Sequence, residues 1–284
     1  MKSPVWYAAA AGTRRGWTEL RQTFTTGQDV FGYVLWTVLL IVPLFLLKDD
    51  PLKGAGITTG AFMLPSMLGM TLAFTGMMTT AQLLATERED GTLLRAKAVP
   101  HGMVGHLVGK IIMVSGTALA SMALPFAVGV FLVDGVARQG GGALLTLVWV
   151  IPLGLLATLP IGAVIGSLVS SPRTVGLLML PVMGLVVISG IYFPLSELPE
   201  WLRTVGQIFP VYWVGLGLRS ALLPADAVAA EIGTSWRHLE TAAALGAWSA
   251  AGLLLAPSVL RRMARRESGA AMAERHRKAM QRVG

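Results

Sequence analysis

Few side chains in this sequence have the type and spacing that catalysis or metal binding requires. The chain has no cysteine, which excludes disulfides and thiolate metal sites. The histidines all fall outside the long apolar runs, at His101, His106, His238 and His276. None is placed to activate a serine at membrane depth, so we predict no catalytic residue and no metal site.

Residues 105–111 are the nearest approach to a nucleotide site. A phosphate-binding loop needs a glycine five residues before the Gly-Lys pair, where Val104 stands, and Ser or Thr after it, where Ile111 stands. The loop is therefore absent, and we interpret Lys110 as a side chain that snorkels from the end of a span. We expect neither ATP hydrolysis nor a directly bound cofactor in this chain.

One charged stretch, residues 86–100 (TEREDGTLLRAKAVP), lies between two apolar runs. Thr86 and Glu89 have the spacing of a capping box at a helix start, and Asp90-Gly91 is a turn signal after which Thr92 can cap a new helix. These features predict a compact charged element on the surface. The alternative is a solvated loop whose charges only fix topology.

The composition places these residues in a membrane protein. Hydrophobic residues make up 54% of the chain and charged residues 13%, whereas soluble domains carry about 25% charged residues. Runs of about 17 to 25 apolar residues suit membrane-spanning helices rather than barrel strands. We therefore predict an all-α polytopic membrane protein with six transmembrane helices, at residues 30–47, 57–85, 111–133, 143–169, 175–193 and 241–260.

The spans divide the chain into three parts. Residues 1–29 form an N-terminal part in which Trp17, Leu20 and Phe24 predict a short helix in the membrane interface, with a disordered basic arm as the alternative. Residues 30–260 form the transmembrane domain, and residues 261–284 a basic tail. Most of the 23 Lys and Arg residues lie on one side, so we predict a multi-pass protein of the cell membrane with both termini in the cytoplasm.

The loop at residues 194–238 is predicted to face outside. Its first part is amphipathic, and an apolar run too short to span follows it. This pattern predicts a re-entrant pair of segments that closes the outer end of a pathway, or a lid with a structural role only. The candidate residues of this outer gate are Phe193, Pro194, Leu198, Trp201, Phe209, Tyr212 and Trp213.

Small residues recur every four positions in the fourth predicted span. This stripe predicts a close helix contact, either within one subunit or between subunits, and a weaker instance is Gly105-x-x-x-Gly109. The stripe consists of Gly154, Thr158, Gly162, Gly166 and Ser170.

Two motifs resemble those of ABC-2 type transporter permeases. Residues 87–93 (EREDGTL), followed by Pro100 and Gly109-Lys110, are similar to the E-R-E-x-G-T-L…P…G-K signature of that family. Residues 189–202 (SGIYFPLSELPEWL) resemble the segment after the fifth span in its drug-efflux branch, similar to daunorubicin-resistance permeases. The resemblance covers nearly the whole chain.

The resemblance implies that this chain works together with other subunits. A separate cytoplasmic ABC ATPase, in two copies, would bind ATP and Mg, and a second permease would complete a homodimer or a heterodimer. The coupling helix that docks on the ATPase would be formed by Thr86, Glu87, Arg88, Glu89, Asp90, Gly91, Thr92, Leu93 and Arg95. Family members usually pair through the first and fifth spans, which would leave the small-residue stripe inside one subunit.

The sequence thus predicts an exporter of a hydrophobic or amphipathic compound, such as a drug, an antibiotic or a lipid-like molecule, in the manner of multidrug efflux. The apolar runs contain no ionisable residue, which argues against proton-coupled or sodium-coupled transport. The basic charge follows the positive-inside pattern, so we predict no nucleic-acid partner. Two alternatives remain: a sensor or assembly module that uses the same ATPase, and a membrane-bound lipid-modifying enzyme, which would need a cluster of interfacial His or Asp residues.

Overall fold

A computed structural model describes residues 4–136, 140–169 and 172–266. Within these ranges the chain forms α-helices joined by turns and short 3-10 segments, and no β-sheet, so the predicted all-α class is confirmed. The helices are α1 (Pro4–Thr23), α2 (Gly27–Leu46), α3 (Thr59–Glu89), α4 (Thr92–Ala98), α5 (Gly102–Leu132), α6 (Gly141–Leu168), α7 (Pro172–Val187), α8 (Glu200–Ile208), α9 (Pro210–Leu222) and α10 (His238–Arg266).

Five of these helices are long and apolar enough to cross a bilayer: α2, α3, α5, α6 and residues His238–Ala256 of α10. The fifth predicted span, residues 175–193, is instead α7, which ends at Val187 after 16 residues. Its length of about 24 Å is less than the roughly 30 Å of hydrocarbon in a bilayer. The chain bends after α7, where Gly190 has a φ of 72°. The count of six spans therefore stays a prediction.

Helix α3 is the centre of the bundle. The Thr58 hydroxyl caps its start by accepting a hydrogen bond from the Ala61 amide at 3.2 Å. Nearly every residue from Gly60 to Ala73 is buried, because α3 packs against α2, α5, α6, α7 and α9. The core of the protein therefore surrounds one apolar helix.

The small-residue stripe of α6 is the surface that meets α3. A Cβ atom on Gly162 would collide with the Met77 carbonyl oxygen, and one on Gly166 would lie 2.7 Å from that of Ala81. Only glycine permits this approach of two backbones. The expected packing of the stripe within one subunit is confirmed for its described residues; Ser170 lies outside them.

The contacts also give the direction of each helix. Gly162 of α6 contacts Met77 of α3, and Gly166, four positions later, contacts Ala81, also four positions later. The two helices are therefore parallel. The end of α5 contacts the start of α3, at Gly129 and Leu64, and the start of α5 contacts the end of α3, at His106 and Glu87. Helix α5 is therefore antiparallel to α3. The bundle therefore has one end that carries residues 86–100, and an opposite end that carries α8 and α9.

The N-terminal helix is longer than predicted and packs lengthwise on α5. A Cβ atom on Gly12 would collide with the Gly105 carbonyl oxygen, and one on Gly16 would collide with that of Gly109. The predicted N-terminal helix is therefore confirmed, but it begins at Pro4 and ends at Thr23, because paired glycines hold 20 residues against the bundle; its place in the membrane interface stays a prediction. Gly105-x-x-x-Gly109 is confirmed as a close helix contact.

Candidate functional site

The charged segment at residues 86–100 consists of the end of α3, a tight turn and α4. Gly91 takes the left-handed conformation at φ 75°, and the Asp90 carboxylate accepts a hydrogen bond from the Thr92 amide at 2.8 Å. The N-cap residue of α4 is thus Gly91, and Thr92, predicted as the cap, is the first residue of the helix, with its amide bonded to Asp90. The predicted capping box was also wrong: Thr86 and Glu89 lie in the last turn of α3, which continues through them.

The nine residues predicted to form the coupling helix differ in burial. Three of them are buried against the bundle, namely Glu87, Gly91 and Leu93, while Arg88 and Thr92 are half-buried. The exposed set comprises Thr86, Glu89, Asp90 and Arg95. Arg95 donates to the Asp90 carbonyl oxygen at 3.3 Å and to the Thr92 hydroxyl at 2.9 Å, which holds the turn together. The surface offered to a partner is therefore an acidic turn with one arginine beside it.

Glu87 points into the fold and joins α3 to α5. One carboxylate oxygen, Oε2, lies 2.9 Å from Nε2 of His106, and the other, Oε1, forms an ion pair of 2.9 Å with Nζ of Lys110. His106 and Lys110 are four residues apart, so both lie on the same face of α5. The carboxylate therefore has a hydrogen-bond partner on Oε2 and an ion-pair partner on Oε1.

Lys110 extends the cluster to α1. Its Nζ atom donates to Oε2 of Glu19 at 2.7 Å, and Glu19 also accepts from Nε of Arg15 at 2.7 Å. Burial acts to raise the pKa of Glu19, but the hydrogen bonds from Lys110 and Arg15 outweigh it and hold the pKa below its ordinary value. The interpretation of Lys110 as a snorkelling side chain was wrong, because two carboxylates from two other helices hold its ammonium group.

The cluster contains two acidic and two basic side chains. The carboxylates of Glu19 and Glu87 face Lys110 and Arg15. His106 contacts Glu87 through Nε2, while its Nδ1 atom is buried and has no partner among the described residues.

Arg88 joins the same segment to α6. Its Nη1 atom donates to the carbonyl oxygens of Ser167 at 3.2 Å and Val169 at 2.7 Å, at the point where α6 ends. A cation here satisfies carbonyl groups that the helix leaves unpaired and favours the negative end of its dipole. Residues 87 and 88 thus attach the charged segment to α1, α5 and α6.

The seven candidate residues of the outer gate differ in burial and in the neighbours that they contact. Trp201 is exposed on α8, whereas Tyr212 and Trp213 are buried at the start of α9 with their rings 5.1 Å apart. Phe209 stacks on Trp248 of α10 at 6.2 Å. The remaining three residues, Phe193, Pro194 and Leu198, lie half-buried or buried in the connection before α8.

Sequence reasoning missed two groups of buried charges. The sequence does not show that His106 lies near a carboxylate. The spacing of four residues between His106 and Lys110 did indicate that both lie on one face of a helix. Arg219 and Glu231 form a second buried ion pair at the opposite end of the bundle. Among the described residues no three acidic or histidine side chains are grouped to hold a metal ion.

Glu87 and His106 bring a carboxylate and a histidine together. Both side chains are buried, and Lys110 occupies the second carboxylate oxygen. A substrate cannot reach this pair, so it gives no support to a lipid-modifying enzyme.

Comparison with known proteins decides the family. The model of the family described as ABC-2 family transporter protein matches residues 33–256, which is more than half of the chain. This chain belongs to the ABC-2 transporter family. It is therefore a multi-pass membrane component of an ABC transporter, and the family implies a partner ATPase. No curated protein matches the chain.

Membership in the ABC-2 family gives the signature residues a physical meaning. Glu87 and Lys110 form an ion pair, Gly109 admits the backbone of α1, and Gly91 makes the turn before α4. The residues that resemble the family signature thus attach the charged segment and α1 to the bundle of this chain.

Proposed function

We propose that this chain is the membrane-spanning subunit of an ABC exporter that moves a hydrophobic or amphipathic compound out of the cytoplasm or the inner leaflet. The observation that carries the proposal is the acidic turn at Glu89 and Asp90, which is exposed while Glu87 and Arg88, directly before it, are turned into the bundle. Such a turn can be displaced by a partner and can transmit that displacement to the helices behind it.

The partner that fits this turn is a cytoplasmic ABC ATPase with basic residues around its docking groove. Exposed carboxylates steer and select a positively charged surface. Displacement of the turn acts on α1 and α5 through Glu87 and Lys110, and on α6 through Arg88. Two such ATPases bind ATP and Mg, and two permeases, alike or paralogous, form the path between them.

The cargo is a drug, an antibiotic or a lipid-like compound. An apolar groove of about 190 Å³, partly open to the surface, lies between α3, α5, α6 and α9, and its lining residues carry no charge. Grooves lined by hydrophobic side chains bind apolar groups. The resemblance of residues 189–202 to the daunorubicin-resistance branch supports the same class of compound, and with it roles in multidrug efflux and antibiotic resistance.

The proposed arrangement places both termini in the cytoplasm and residues 194–238 outside. In this orientation the acidic turn meets the cytoplasmic ATPase, and α8 and α9 close the outer end of the path. The excess of basic residues on the cytoplasmic side supports it. The basic tail at residues 261–284 extends beyond the described residues, which end at 266.

The proposal is tested by reconstituting the chain with its ATPase in lipid vesicles and measuring ATP-dependent movement of labelled amphipathic drugs and lipids. An exporter moves at least one of them against its gradient, and that compound stimulates ATP hydrolysis. ATP hydrolysis that no compound stimulates, together with no movement, would favour a sensor or assembly module instead.

A further inference from the structure

Arg219 is the most deeply buried charge of the described chain, with 1% of its surface exposed. Its Nε and Nη2 atoms face the two carboxylate oxygens of Glu231 at 2.5 and 3.3 Å. Its Nη1 atom donates to the Ser66 hydroxyl at 3.0 Å and to the Gly190 carbonyl oxygen at 3.3 Å. The guanidinium also lies 4.8 Å from the ring centroid of Phe62. One side chain of α9 therefore contacts α3, the bend after α7 and the loop before α10.

Stability alone does not explain why a charged side chain is buried at this position. A buried ion pair costs so much desolvation that apolar residues of the same volume often stabilise a protein as well or better. Ionisable groups buried in a membrane domain more often serve a function. The coupling of the acidic turn does not use Arg219, since that turn lies at the other end of the bundle.

The segments that Arg219 connects to α9 differ in how firmly they are held. Glu231 belongs to the same stretch of chain as α9, twelve positions along the sequence. Helix α9 is wedged against α3, since a Cβ atom on Gly69 would lie 2.9 Å from the Gly215 Cα atom, so α9 and α3 stay together. Helix α7 contacts the bundle mainly through α3, and less extensively than α9 does, and Leu177 and Leu180 on it are exposed. The joint that can open is therefore between Arg219 and the Gly190 carbonyl oxygen.

We propose that Arg219, oriented by Glu231, is a positioning residue that latches the end of α7 to α3 and α9, and that its release from Gly190 opens this end of the transport path. The proposal rests on the export function for the meaning of the path. Of the polar contacts that Arg219 makes, opening breaks only the hydrogen bond to the neutral Gly190 carbonyl group, and it exposes Ile191, which is buried in the closed arrangement. The ion pair with Glu231 stays intact, so no charge is left unpaired at the moment of opening.

Lysine in place of Arg219 tests the latch. A lysine ammonium is a point charge that can pair with Glu231, but it cannot also present the planar set of donors that reaches Ser66 and Gly190. The chain has no native cysteine, so Ile191→Cys gives a single thiol at a position that is 1% exposed next to the latch. Its rate of reaction with a maleimide, in the purified chain in lipid nanodiscs, measures how often this end opens.

We expect Arg219→Lys to increase the labelling rate of the thiol at position 191 by about tenfold or more. Loss of a hydrogen bond from a charged group changes the equilibrium between closed and open forms by about this factor. Ser66→Ala, which removes one support of the guanidinium and little volume, should give a smaller increase of roughly twofold to fivefold. The matched control is Arg203→Lys on α8. Arg203 donates to the Leu198 carbonyl oxygen, five positions earlier in its own segment, so this change should leave the rate unchanged.

A second single-cysteine chain, Leu245→Cys, separates local opening from general loosening, because Leu245 is equally buried, on α10. Its labelling rate should not change with Arg219→Lys or Ser66→Ala. An unchanged rate at position 191, or an equal increase at position 245, would overturn the latch. If Arg219→Lys fails to fold, the labelling rates at positions 191 and 245 in Ser66→Ala test the latch alone. The labelling needs neither ATPase nor cargo, so a negative result would leave the export function standing.

Discussion

Glu87 and Lys110 lie 2.9 Å apart across the interface of α3 and α5, although 23 positions separate them in the sequence. Through this ion pair the last turn of α3, which leads into the acidic turn, is fixed to α5 and, through Glu19, to α1. The first glutamate of the signature therefore acts inside the protein, whereas Glu89 and Asp90 face outward. This division gives different predictions for neighbouring residues.

Glu87→Gln should destabilise the protein, whereas Glu89→Gln should not. The first change leaves buried Lys110 and His106 facing a neutral amide, which costs about 1 to 3 kcal/mol. The second alters an exposed side chain of the same helix turn and should stay within about 0.5 kcal/mol of wild type. Thermal unfolding in detergent or nanodiscs measures both. Equal stability of the two variants would contradict the buried role of Glu87.

Acid should weaken the attachment of α1 through Glu19. Because the folded-state pKa of Glu19 lies below its ordinary value of 4.5, its stabilising contribution is present above that value and is lost as the pH falls through the folded-state pKa. We expect wild type to unfold at a higher temperature than Glu19→Gln at about pH 6, and the difference to shrink on acidification below about pH 4.5. A difference that stays constant down to about pH 3 would argue against this ion pair.

Gly162→Ala should destabilise the single subunit by about 1 to 3 kcal/mol, because the added methyl group would collide with the Met77 carbonyl oxygen. The control is Gly246→Ala on α10, where a Cβ atom meets nothing within 4 Å. Unfolding temperature and mass in detergent solution should be measured together. A stable Gly162→Ala monomer that has lost its dimer would instead assign the stripe to a contact between subunits.

Single cysteines test the orientation in the membrane. Those introduced at Gly54 and Ala225, both exposed, should react with an impermeant maleimide added to intact cells. One at Val99, which is 59% exposed on the charged segment, should react only after the membrane is opened. Labelling at position 99 in intact cells would reverse the orientation and remove the acidic turn from the reach of a cytoplasmic ATPase.

Local patterns predicted the helices well, because apolar runs and small-residue spacings depend on neighbours in the sequence. The stripe of Gly154 to Gly166 and the pair Gly105 and Gly109 could be identified as contact surfaces, but their partners could not, since α3 and α1 are distant in sequence.

The buried charges were unpredictable for the same reason. A lysine at the end of a span snorkels unless a carboxylate from another helix reaches it, and only the packed bundle brings Glu19 and Glu87 to Lys110. Arg219 fell in a stretch predicted as an outer loop, where a charge would be solvated. The structure buries α9 among α3, α6 and α10, which turns the same residue into the centre of a polar cluster.

Photo-crosslinking at position 89 tests the central claim most directly. Glu89 is replaced by a photoreactive amino acid in cells that make the native partner, and the products of illumination are identified by mass spectrometry, with the same substitution at exposed Trp201 as the control. We predict a covalent adduct between position 89 and an ABC ATPase, and none with that ATPase from position 201. An ATPase captured from position 201, or absent from the adducts of position 89, would contradict the coupling role of the acidic turn.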